Sequence, residues 1–176
     1  MVESSKYTRV AMALHWLTVG FVGALYGVGW TMVDLPKGPG RGEMFALHKT
    51  LGITVLLLTF LRLAWRLSHR PPALPAELPR WRVRMATGVH HAFYGLLVLQ
   101  PVLGYCSSWF SGRGTRFLGL ELPMRAARDA AMNDFFSGLH ELGAAALLCV
   151  ITLHVVGAVS HGVRGPGALL RRMSPW

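Results

Sequence analysis

Charged residues are missing from this chain in long blocks, and that restricts its fold more than any single motif does. Between Arg9 and Asp34 lie 24 residues without Asp, Glu, Lys or Arg; between Arg84 and Arg113 lie 28, and between Glu141 and Arg164 lie 22. Each block reaches the roughly 20 residues that carry a helix across a bilayer's hydrocarbon core. A fourth block, Met44–Trp65, holds only Lys49 and Arg62, near its ends. Long basic side chains at such positions reach back to the interface. The blocks predict an all-α integral membrane four-helix bundle. Residues 1–176 form one domain, with spans at about 9–32, 44–66, 85–110 and 135–163. A soluble domain with the same 52% hydrophobic content would spread it into amphipathic stripes.

The net charge of +10 raises nucleic acid as a partner, but its distribution argues for a membrane. Four spans put both termini on one side. Segments on that side carry 11 Lys and Arg against 7 on the other, and 2 acidic residues against 6. Excess Lys and Arg mark the cytoplasmic face, so both termini are expected in the cytoplasm, with no nucleic-acid partner. The first apolar run is too long for a cleaved signal segment. Cys106 and Cys149 fall inside spans and read as small buried residues.

Within the last block, His140, His154 and His161 follow at gaps of 14 and 7 residues. At about 100° per residue these rings leave nearly one helix face, and His140 and His154 stand about 21 Å apart along the axis. A lone histidine in an apolar helix is often a hydrogen-bonded core residue. Two in register at two membrane depths suggest two stacked haems, because ionisable groups inside a span are costly and mark function. His48 begins the second span at the periplasmic side and pairs by depth with His140. His15 lies near the cytoplasmic start of the first span and pairs with His154. Both pairs are expected to join antiparallel helices across a common core, where bundle cofactors sit. Bis-imidazole ligation suits electron transfer, since it leaves no open position. Imidazole also binds zinc or copper, but no cysteine or carboxylate lies near to complete such a site. Without a Cys-x-x-Cys-His motif, any haem is held non-covalently as haem b.

Other residues carry two readings. Gly20, Gly23, Gly27 and Gly29 suit either close helix packing or room for a flat macrocycle. Gly52, four residues after His48, is expected to clear space beside that ring. Lys49 either meets a haem propionate or snorkels. His90 and His91 begin the third span and cannot both face the core, and Pro101 is expected to kink that helix. The proline-rich segment 68–84 reads as an extended cytoplasmic loop with His69 solvated, and 126–132 as a short surface helix in the outer loop.

The segments Ala13-Leu14-His15-Trp16, Leu47-His48-Lys49-Thr50-Leu51-Gly52 and Gly88-Val89-His90 with Tyr94 resemble the bacterial cytochrome b-561 family. So do Gln100-Pro101-Val102-Leu103-Gly104, Leu139-His140-Glu141 and Leu153-His154, and the similarity runs through nearly the whole chain. The resemblance implies a four-helix, di-haem b cytochrome of the bacterial inner membrane. Its axial ligands would be His15 with His154 and His48 with His140, the same pairs that depth suggests. It also implies a function: electrons pass from periplasmic superoxide to ubiquinone, oxidising superoxide to oxygen. Larger relatives of this kind are haem subunits that relay electrons from partner dehydrogenases, so a non-catalytic relay with a periplasmic donor is the alternative. A third reading is a four-span protein without haem. Under the first two, His90 and His161, near the cytoplasmic ends of their helices, either donate a proton to a quinone beside the lower haem or serve as propionate partners or interfacial residues. Superoxide, an anion, would be steered by local positive charge among Lys37, Arg41, Lys49, Arg113, Arg116, Arg125 and Arg128.

Overall fold

Four long helices carry the chain: α1 (Arg9–Asp34), α2 (Pro39–Ser68), α3 (Arg80–Phe110) and α4 (Ala130–Arg164). This computed structural model describes residues 6–73, 79–123, 127–164 and 171–174, with side chains in α4 described through residue 160. α1, α2 and α4 are each long and apolar enough to cross a membrane. α3 is 31 residues long but more polar, with His90, His91, Gln100, Ser107 and Ser108 among its apolar residues.

Local chemistry sets the helix ends, which extend past the expected spans. Thr8 caps α1, its hydroxyl accepting from the Ala11 N–H at 3.2 Å. Pro39 opens α2 in the first turn, where its missing N–H costs nothing. Asp129 caps α4, its carboxylate accepting from the Met132 N–H at 3.1 Å. The expected surface helix over 126–132 is therefore not a separate element: residues 130–132 are the first turn of α4. In the same loop a hairpin forms instead, β1 (Thr115–Phe117) against β2 (Leu120–Leu122). Its two-residue turn, Leu118-Gly119, has φ of 50° and 84°. Two positive φ values match the twist of paired strands, but a leucine in the first position hides that turn from a sequence reading.

α1 packs on α2, α2 on α3, and α3 on α4, each antiparallel to its neighbour, while among the described residues the backbones of α1 and α4 do not close on each other. The Tyr26 hydroxyl bridges that gap, donating to the Ala144 carbonyl at 2.6 Å. Val55, Leu97 and Leu147 form the small buried core at mid-height, with Phe21, Val22 and Phe93 against it. Many large apolar side chains, such as Trp30, Phe60, Leu142 and Val156, point outward, as suits helices solvated by lipid rather than water. Cys149 is among the exposed residues and Cys106 is partly buried, which corrects the expectation that both are buried.

The first described residues and residues 172–173 meet at one end of the bundle, the lower end. The Tyr7 N–H donates to the Arg172 carbonyl at 3.1 Å and the Trp16 indole to the Met173 carbonyl at 2.8 Å.

Candidate functional site

The four helices bring four histidines together as two pairs at two levels. At the lower level the rings of His15 (α1) and His154 (α4) have centroids 6.3 Å apart. At the upper level those of His48 (α2) and His140 (α4) are 6.1 Å apart. Fourteen residues of α4 separate the levels, about 21 Å along its axis. The lower pair joins antiparallel helices. The upper pair joins α2 and α4, which run in the same direction because each is antiparallel to α3. That corrects the expectation that both pairs face across antiparallel helices.

These spacings fit a shared metal. Two imidazoles on one ion, with metal–nitrogen bonds of about 2.0–2.1 Å and ring centres about 1.1 Å further out, stand about 6.3 Å apart. Each pair supplies two nitrogens, and among the described residues no cluster of three or more His, Cys, Asp or Glu could hold a metal ion. A metal bound between such rings would take its other ligands from outside the protein, and a porphyrin provides four.

Backbone contacts prepare the upper rings for this. His140 Nδ1 lies 3.0 Å from the Gln100 carbonyl. A carbonyl only accepts, so Nδ1 carries the proton and Nε2 keeps its lone pair for a metal. The Gln100 side-chain amide returns a bond to the His140 carbonyl at 3.1 Å. Gly104 makes this approach possible: a Cβ there would stand 3.2 Å from His140 Cε1. Gly143 does the same for Gln100, whose amide occupies the space a Cβ would need. Across the bundle, a Cβ at Gly29 would lie 3.4 Å from His48 Cε1. The backbone acceptor that His48 faces is the Leu25 carbonyl, although its buried Nδ1 closes no hydrogen bond of good geometry. Leu25 precedes Gly29 by four residues, as Gln100 precedes Gly104. Each upper histidine therefore leans on a helix glycine, and His140 also on the carbonyl one turn before it. Gly52, expected beside His48, meets nothing within 4 Å of a Cβ.

The lower pair sits in open space. A cavity of about 930 Å³ lies in the gap between α1 and α4 and includes His15, His154, His90, Gly23 and Arg62 in its lining. That is at the upper end of the range for ligand sites, about 300–1,000 Å³. Cβ atoms at Gly20, Gly23 and Gly27 would meet nothing within 4 Å. None of the three makes a close helix contact, and of them Gly23 lines the cavity while Gly20 and Gly27 are exposed. Gly29 alone presses on a neighbour.

The remaining candidates divide. His90 enters the cavity, its ring centroid 5.9 Å from that of His154, while His91 is exposed. His161 falls in α4, and its side chain lies outside the described residues. His69 is not merely solvated: its ring stacks on Trp65 at 3.8 Å, at the cavity mouth. Lys49 donates to the Gly114 carbonyl at 3.1 Å and ties α2 to the loop before the hairpin. Of the outer basic residues, Arg116 is paired with Glu121 at 2.6 Å, and Arg125 lies outside the described residues. The parts least visible in the sequence were the supporting ones, Gly29, Gln100, Gly104, Gly143 and Arg62. Their signal was present as Gln-Pro-x-x-Gly in α3 and His-x-x-Gly in α4.

The chain was compared with known proteins. Residues 6–176 match the family model for prokaryotic cytochrome b561. Cytochrome b561 homolog 2 of Escherichia coli is 29% identical over 171 residues, covering 96% of this chain and 90% of that protein. Cytochrome b561 homolog 1 of the same organism is 26% identical over 176 residues, covering 97% and 98%. Cytochrome b562 of Cereibacter sphaeroides is 28% identical over 188 residues, covering 99% of each. A match along almost the whole length, on helices suited to a membrane and histidines paired at metal-sharing distance, has one reading: the chain is a helical membrane haem protein of electron transfer and belongs to the prokaryotic cytochrome b561 family.

Proposed function

We propose that the whole chain is a four-span di-haem b cytochrome of the bacterial inner membrane, with both termini in the cytoplasm. It carries electrons from the periplasmic side to a quinone. His48 and His140 hold the upper iron, and His15 and His154 the lower. The observation that carries this is the matched spacing of the two ring pairs, 6.1 and 6.3 Å, at two levels of one helix. A bis-imidazole haem supplies a one-electron couple with no open coordination position, which suits a donor that gives up an electron without binding iron.

Superoxide is such a donor, and the electron donor proposed here is superoxide, oxidised to oxygen. Two superoxide anions release two electrons, and a ubiquinone takes these with two protons to become ubiquinol. The cavity around the lower pair is the proposed place for the quinone. Its lining is largely apolar and includes residues of all four helices, with His90 as a titratable group. His161, in the same stretch of α4, is proposed as a second proton donor.

Stopped-flow reduction tests this reading. Superoxide is expected to reduce the purified protein, and added ubiquinone to reoxidise it. A protein that carries b-type haem but ignores superoxide would be an electron relay for another donor. One without b-type bands would overturn the haem assignment itself.

A further inference from the structure

The lower end of the cavity is cationic. Arg62, Arg66 and Arg70 follow at four-residue steps along and just past the end of α2, and all three line the cavity. Four residues of helix rise about 6 Å and turn about 40° past a full turn, so the three descend as a staircase toward the lower rim. Arg62 was expected to snorkel to the interface. Instead it lines the same cavity as Tyr94, His15, His90 and His154. The Arg66 guanidinium lies over the Tyr94 ring, 6.0 Å from its centroid.

No described carboxylate lies at this end. Asp34, Glu43, Glu121, Asp129, Asp134 and Glu141 all belong to the upper end, and Glu3 and Glu77 are outside the described residues. A guanidinium within a membrane helix is costly unless an anion or polar partner meets it. Its planar fork matches the two oxygens of a carboxylate or of a phosphate.

We propose that Arg62, with Tyr94 beside it and Arg66 and Arg70 below, forms a carboxylate cradle whose ligand is the propionate edge of the lower haem. This rests on the di-haem reading. The same oxygen chemistry would fit a lipid phosphate, but depth favours the propionate. Arg62 is partly buried on α2, where it shares the cavity lining with both rings of the lower pair, whereas Arg66 and Arg70 are exposed. A headgroup at the membrane surface would meet Arg70 first.

Arg62→Gln tests the cradle by redox titration of the intact protein in nanodiscs with anionic phospholipid, alongside haem and phospholipid counts. The expected result is two haems per chain and a lower couple whose reduction equilibrium constant falls about tenfold, or 59 mV for one electron. An unpaired propionate favours the ferric state, which sets that sign. The upper couple should shift less than threefold. Arg62→Lys, which keeps the charge and loses the fork, should shift the lower couple less than Arg62→Gln does. If Arg62→Gln does not assemble, Arg66→Gln is the second variant, expected to lower the same couple by about threefold. Unchanged couples with loss of bound phospholipid would assign the arginines to a lipid phosphate and overturn the proposal. Unchanged couples and unchanged phospholipid would overturn it as well. Absence of haem from the unaltered protein would instead remove the di-haem reading on which the cradle rests.

Discussion

His140 and His154 belong to one helix, yet their surroundings differ. His140 is braced on all sides by backbone and small residues: the Gln100 carbonyl at 3.0 Å, Gly104 against its edge, and Gly143 making room for the Gln100 amide. His154 faces a cavity of about 930 Å³ together with His15, His90 and Arg62. The upper level is the tighter one: at His140 the bond to Gln100 fixes ring orientation and keeps the lone pair of Nε2 free, and Gly29 lies against His48. The lower pair is built for access, with space beside it and charge below it. The proposed function, with electrons taken at one level and released to a quinone at the other, would use this asymmetry.

Four substitutions break or sharpen that contrast. The largest effect is expected from His140→Ala, which should remove the upper haem and keep the lower. Haem per chain would fall from two to one, as read by the reduced-minus-oxidised spectrum. Next, Gly104→Val should push into His140, because even a Cβ would stand 3.2 Å from its ring. Overpacking of this kind costs about 1–3 kcal/mol, and thermal unfolding should show it together with a changed upper couple. Gly23→Ala is the control at the lower level. Its Cβ would meet no protein atom within 4 Å, so thermal stability should stay within about 0.5 kcal/mol of the parent, while the lower couple, whose cofactor would share that room, is expected to shift. Equal losses for Gly104→Val and Gly23→Ala would erase the distinction between a braced and an open level. Between these, Tyr26→Phe removes the 2.6 Å bridge from α1 to Ala144. Hydrogen bonds between membrane helices average about 0.6 kcal/mol, and that small loss is expected in the same unfolding assay.

The uncharged blocks made the helices readable, because span length follows directly from bilayer thickness. The histidine register in α4 was readable for a similar reason: one helix period fixes which rings share a face. Depth matches His48 with His140, and the alternation of four spans already makes α2 and α4 run in the same direction, so the expectation of two antiparallel pairs was a misreading of the chain order and not a gap in the sequence. The hairpin at 115–122 escaped because its turn uses Leu118 at positive φ, where a turn-forming residue would have signalled it. Arg62 read as a snorkelling residue because sequence gives its depth and not its face. Glycines are ambiguous by nature: Gly29 presses on a ring while Gly20, Gly23 and Gly27 face open space, and no local pattern separates them.

Haem iron counted against polypeptide in one purified sample, with a redox titration of the same material, bears most directly on the two-level account. The account predicts two b-type haems per chain and two resolvable one-electron couples, of which only one survives in His140→Ala. A single haem per chain, or a His140→Ala protein that loses both haems or neither, would contradict it.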